Sequence, residues 1–108
     1  MTVTPPKPVA AYFVAANTGG ADHVTGCFAD DAVVRDEGGE YRGRDAIRGW
    51  AEEVRRKYHF HAEVIAVREA ADRTIVTAHL TGDFPGNPVD LRYQFKLAGS
   101  RMMALEIG

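Results

Sequence analysis

The cleanest alternation in the chain runs from Val89 to Leu97. Val89, Leu91, Tyr93, Phe95 and Leu97 are apolar, and Asp90, Arg92, Gln94 and Lys96 between them are polar. A period of two sends successive side chains to opposite faces, so this segment is predicted as a strand with one buried face. A different period governs 44–58. There Ile47, Trp50, Ala51, Val54 and Tyr58 fall on one stripe of a helix. Asp45 in the first turn and Arg55, Arg56 and Lys57 in the last oppose the helix macrodipole at both ends. Glu52 with Arg56 and Glu53 with Lys57 are spaced for i,i+4 ion pairs. Gly49 weakens such a helix by roughly 1 kcal/mol relative to alanine, so close packing is expected there.

The remaining pattern divides the same way. Thr4 is expected to cap a first helix with Pro5 and Pro6 in its opening turn, where a missing N–H costs nothing. The run from Val9 to Ala16 is apolar all round, which predicts a largely buried helix, and Gly19-Gly20 ends it. Asp22 is a candidate cap for a short second helix carrying Val24, Cys27 and Phe28, which Asp30-Asp31 would end. Ala32 to Asp36 has strand character, and Glu37-Gly38-Gly39-Glu40 reads as a turn leading to Tyr41. Beyond the third helix, strands are predicted over 59–69 and 74–83, joined by a tight turn at Ala71-Asp72. Phe84-Pro85-Gly86-Asn87-Pro88 is a second turn, and Gly99-Ser100 leads to a last strand at 101–107. Helices followed by a long antiparallel meander define an α+β domain.

Length and composition narrow the picture further. A chain of 108 residues is expected to form one domain over residues 1–108. Thirteen basic against fifteen acidic residues leave a formal charge of −2, without the positive excess that nucleic acid or a polybasic membrane anchor requires. The lone cysteine, Cys27, has no intrachain disulfide partner and suits a reducing compartment. The first residues lack the charged and apolar regions of a signal peptide, and no apolar run is long enough to span a bilayer. A cytoplasmic location is therefore expected, with no membrane and no nucleic acid among the partners.

Candidate chemistry is sparse. Tyr12 stands on the apolar first helix, where a phenol needs a partner for its hydroxyl. Asp36 ends the first strand and shares a face with Val34; if Val34 points inward, so does Asp36, as a partly buried carboxylate suited to proton abstraction. The bland alternatives are a tyrosine bonded to a backbone carbonyl and a solvated aspartate capping its own turn. Trp50 and Tyr58 read as core or cavity wall, and Cys27 as an inert, packed thiol. His59 and His61 share a strand face, but a catalytic zinc site needs a third ligand. A two-residue turn at Ala71-Asp72 pairs the nominee, His79, with Val64 on the opposite face. Only a one-residue shift of register would gather the three histidines, and no metal is expected.

Three strings carry a family resemblance: 12–19 (YFVAANTG), 27–34 (CFADDAVV) and 41–47 (YRGRDAI). They resemble the NTF2-like superfamily, and within it the SnoaL-like polyketide cyclases and the ketosteroid isomerases. Arg92 to Leu97 falls where that superfamily has its long central strand. The Gly82-Asp83-Phe84-Pro85-Gly86 turn resembles bacterial SnoaL-like proteins. The implied architecture is cone-shaped, with three N-terminal helices packed in a curved, mostly antiparallel sheet around a cavity. By the same resemblance Tyr12 matches the oxyanion-hole tyrosine of the isomerases, and Asp36 their general-base aspartate. Tyr93 stands where they have a protonated aspartic acid, and can also donate a hydrogen bond. Asp36 is followed by Glu37 rather than proline, and the connection to the third helix is shorter; both depart from the pattern of the steroid isomerases.

The superfamily hosts isomerases, cyclases, dehydratases, epoxide hydrolases and non-catalytic binding domains, so function rests on the site. The reading that follows is a cavity for a hydrophobic small molecule. Asp36, Tyr12 and Tyr93 are its candidate catalytic residues, with Phe13, Val34 and Trp50 as candidate ligand-binding residues. Acid–base chemistry on a carbonyl compound needs no cofactor. The alternative is a non-catalytic ligand carrier or dimerisation module with the same cavity. A cavity subtracts from a small core, so a homodimer through the outer sheet face is expected.

Overall fold

A computed structural model describes residues 5–18 and 20–108. The expected cap at Thr4 and stop at Gly19 lie outside the described residues. Helix α1 spans Lys7–Thr18 and α2 Ala21–Gly26. Strands β1 (Phe28–Asp36) and β2 (Gly39–Arg42) follow, then α3 (Arg44–Tyr58). The chain finishes with β3 (His61–Ala70), β4 (Arg73–Thr81), β5 (Val89–Ala98) and β6 (Arg101–Ile107). The three helices are thus not one N-terminal group, because the β1–β2 hairpin separates α3 from the other two. None of the described helices is long and apolar enough to cross a membrane.

The strands form one mixed sheet in the order β2-β1-β6-β5-β4-β3. Every neighbouring pair is antiparallel except β1 with β6, which run parallel. Register shifts interrupt the β1–β6, β3–β4 and β5–β6 ladders, and such irregularities bend and twist a sheet. The inner face carries Val76, Ala78 and Leu80 of β4, Tyr93 and Phe95 of β5, and Met102 and Leu105 of β6, all buried. Against it pack Val9, Tyr12, Phe13 and Ala16 of α1, the i, i+3, i+4, i+7 face of that helix. The opposite side of α1 is open: Val14 is 65% exposed, so the helix is not buried all round.

Several other expectations are corrected. Gly20, not Asp22, occupies the N-cap of α2, and it offers no side-chain bond. Phe28 and Asp30-Asp31 belong to β1, where the two aspartates point into water from the strand's exposed positions. The stripe of α3 buries Ile47 and Trp50 as its period requires. Gly49, however, is exposed with nothing close to it, so packing does not demand glycine there. Glu53 pairs with Arg56 and Glu52 with Arg48, in place of the expected partners.

The histidine geometry also departs from the simplest register. The turn at Ala71-Asp72 does pair Ala70 with Arg73, but the ladder slips by one residue between Val64 and Ala66. Ile65 is the extra residue, and beyond it His79 pairs with Glu63 rather than Val64. His61 and His79 therefore share the outer face. His59 is not in a strand at all; it ends α3 in the left-handed conformation, with φ 43°. His79 binds Asp90 through Nδ1 at 2.7 Å. Among the described residues no three His, Cys, Asp or Glu side chains are grouped to hold a metal ion.

Candidate functional site

Between the inner sheet face and the helices lies a cavity of about 430 Å³, within the range of small-molecule sites. Its wall is mostly apolar, with contributions from Ala15 and Ala16 of α1, Val54 of α3, Leu80 of β4 and Leu91 of β5. Four of the six candidate site residues reach it, Tyr12, Asp36, Trp50 and Tyr93, and so does Tyr58, expected as core or cavity wall. Phe13 and Val34 do not. Phe13 is wedged against Tyr12, Tyr93 and Phe95, with ring centroids 5.0 to 5.9 Å apart, and Val34 is fully buried in the core. Both support the wall from behind.

Each of the four owes its place to its element. Asp36 is the last residue of β1, with the inward parity of Val34, and β1 ends at the cavity's edge. Its partner is Trp50 on the α3 stripe, whose Nε1 donates to Asp36 Oδ2 at 3.1 Å. Burial of Asp36 raises its carboxyl pKa above the ordinary value; the Trp50 hydrogen bond works against this, and the nearby Glu37 charge adds to it. Tyr12 and Tyr93 approach from opposite layers, their ring centroids 6.3 Å apart. Burial is the main cause that pushes both phenols well up, with the charge of Asp36 contributing to each. Both hydroxyls therefore stay protonated at neutral pH and remain donors.

Both tyrosines line the cavity. Among the described residues neither hydroxyl has a protein hydrogen-bond partner, yet no fully buried side-chain oxygen or nitrogen is left unsatisfied. Two proton donors and one carboxyl of weakened acidity thus line one largely apolar chamber. That set can polarise an oxygen and exchange a proton with a neighbouring carbon.

Apart from Tyr58, the rest of the lining was less legible from sequence. Tyr58 at the end of α3 donates its hydroxyl to Glu37 Oε1 at 2.8 Å, joining the helix to the β1–β2 turn. Across from it Phe84 meets Tyr58 edge-on at 6.0 Å. Phe84 and Pro85 belong to the turn between β4 and β5, read earlier only as a chain reversal. Arg55 also lines the cavity; at helical spacing it sits beside Ala51 and Tyr58, but its place in the last turn suggested only a macrodipole partner. Cys27 stays a packed thiol. Its Sγ donates to the His23 carbonyl, and burial pushes its pKa up.

A small α+β domain whose sheet and helices enclose a cavity with this polar cluster defines a class of protein that comparison makes specific. The SnoaL-like domain model matches residues 9–98, and the chain belongs to that family. A crystal structure of a protein from Sinorhizobium meliloti put forward as a polyketide cyclase is 36% identical, with a TM-score of 0.92 over 96% of this chain and 95% of that one. A Catenulispora acidiphila protein with a ketosteroid isomerase-like fold, in complex with trimethylamine, is 20% identical, with a TM-score of 0.86 over 97% and 86% of the two chains. An NTF2-like protein from Cytophaga hutchinsonii, 13% identical, superposes with a TM-score of 0.78 over 100% and 91%. The last two show the fold alone, which is NTF2-like. No protein of curated function matches the chain.

Proposed function

We propose that this SnoaL-like domain is a cofactor-free acid–base catalyst acting on a hydrophobic carbonyl compound. One observation carries the reading: Asp36 lies in the cavity wall, its carboxyl fixed by Trp50 Nε1 at 3.1 Å, with Tyr12 and Tyr93 in the same wall. Asp36 takes a proton from the carbon next to the substrate carbonyl. The electron pair of that C–H bond moves onto the carbonyl oxygen, where Tyr12 and Tyr93 donate hydrogen bonds to the developing negative charge. The acid formed on Asp36 then returns the proton. Return to a different carbon gives an isomer. Attack of the enolate carbon on a second carbonyl of the same molecule closes a ring, and the new alkoxide takes the proton. The 36% identical neighbour put forward as a polyketide cyclase supports the second outcome. Trp50 orients the base and packs against the substrate.

The test is hydrogen–deuterium exchange of enolisable ketones in heavy water, followed by NMR. A positioned general base contributes typically 10²–10⁴-fold, so Asp36→Asn is expected to lower the exchange rate by about that factor without unfolding the protein. An unchanged rate in this variant would favour the second reading, a non-catalytic carrier. The apolar wall of the chamber, which retains a ligand without using any ionisable group, is the observation on that side.

A further inference from the structure

We propose that Arg55 anchors a carboxylate in the cavity, so that the ligand is a hydrophobic keto acid. The inference rests on the cavity reading above and adds the ligand's second polar group. Among the described residues, three charged ones line the chamber: Asp36, Glu37 and Arg55. Of these only Arg55 is cationic, and it is half-buried.

Arg55 is held in place without being neutralised. Its Nη1 donates to the carbonyls of Ala16, at 3.2 Å, and Phe60, which ties together the ends of α1 and α3. Its guanidinium lies over the Phe60 ring at 5.5 Å from the centroid. Among the described residues no carboxylate pairs with it. Arg35, Arg42, Arg44, Arg48, Arg56 and Arg73 all have acidic partners. Arg68, Arg92 and Arg101 do not, but they are exposed to water. A guanidinium carries five N–H donors, and the two carbonyls use only those of Nη1. Nε and Nη2 keep a fork suited to a carboxylate, beside a largely apolar chamber where an uncompensated charge is costly.

The two polar groups are offset along α3. Trp50, which holds Asp36, and Arg55 are five residues apart on α3, a rise of roughly 7.5 Å. A ligand whose carbonyl sits at Tyr12, Tyr93 and Asp36 would carry its carboxylate several bonds away, on a carbon skeleton that suits an apolar wall including Val54 and Leu91.

Trp50 is the only tryptophan in the chain and lines the cavity, so its fluorescence reports binding directly. The probes are 5-benzoylpentanoate and its methyl ester, which share ketone and carbon skeleton but differ in charge. The wild-type protein is expected to bind the acid at least tenfold more tightly than the ester. In Arg55→Met that ratio falls to within twofold of unity while ester affinity holds. Arg55→Lys keeps the charge and retains a preference for the acid, which tests the proposal even if the methionine variant loses the Ala16 and Phe60 contacts and unfolds. Equal binding of acid and ester to the wild type, an unchanged ratio in Arg55→Met, or no response of Trp50 to the acid overturns it. None of these readings requires turnover. If Asp36→Asn leaves exchange unchanged while the acid preference persists, the catalytic reading falls and the Arg55 site stands.

Discussion

Asp36 is held in a place that does not suit a charge, and this has a consequence for stability. Its pKa is raised in the folded state chiefly by burial. The native protein therefore binds a proton more readily than the unfolded chain. Stability then falls as pH rises through the window between the unfolded value, about 3.9, and the raised folded value. At neutral pH the ionised carboxylate works against the fold. Asp36→Asn removes that charge and keeps an oxygen for Trp50 Nε1, so the variant is expected to melt above the wild type at pH 7. The gap should shrink below pH 4, where both side chains are neutral. Thermal melts across this range check it; a variant that melts lower at pH 7 would mean that the Trp50 bond outweighs desolvation. The inward aim of Asp36 was legible, because strand parity ties it to Val34. Phe13 and Val34 were misplaced as lining because periodicity gives the buried face of an element without the depth at which a cavity interrupts the packing. Arg55 was missed because its last-turn position already had a sufficient electrostatic explanation.

Among the elements, α3 and β6 have the limits read from the sequence, Arg44–Tyr58 and Arg101–Ile107. In both, period and punctuation agree. The bulge at Ile65 had no such signal, since neither glycine nor a break in apolar character marks it. Two glycines test opposite ends of the packing scale. A Cβ on Gly82 would stand 2.8 Å from Phe60 Cα and from the Tyr58 carbonyl oxygen, too close for the backbone to accept unmoved. The same junction carries the hydrogen bond from Asp83 N–H to Tyr58 O at 2.9 Å. Gly82→Ala is therefore expected to destabilise by about 1–3 kcal/mol, the usual cost of overpacking. Gly49 lies in open space on the exposed face of α3, so Gly49→Ala should stabilise by up to about 1 kcal/mol. Urea denaturation of the two variants reads both signs directly.

For the molecule as a whole, the outer sheet face is the surface the cavity does not use. Ile75, Thr77, His79 and Gln94 are half-exposed there, among Arg92, Lys96, Asp90 and Glu106. Mixed charge around a partly apolar centre suits an isologous contact, in which each copy offers the same patch to the other. We propose a homodimer through this face; light scattering is expected to give twice the monomer mass, and Thr77→Arg to return it to one.

The parallel pairing of β1 with β6 has a consequence of another kind. Val34 pairs with Leu105, about 70 positions along the chain, and contacts of such separation form slowly because a long loop must close first. On the ribosome β1, and with it Asp36, has no permanent neighbour on that side until β6 has been made. Asp36 is therefore seated late in folding, after the local contacts of α3 and the β3–β4 hairpin have had time to form.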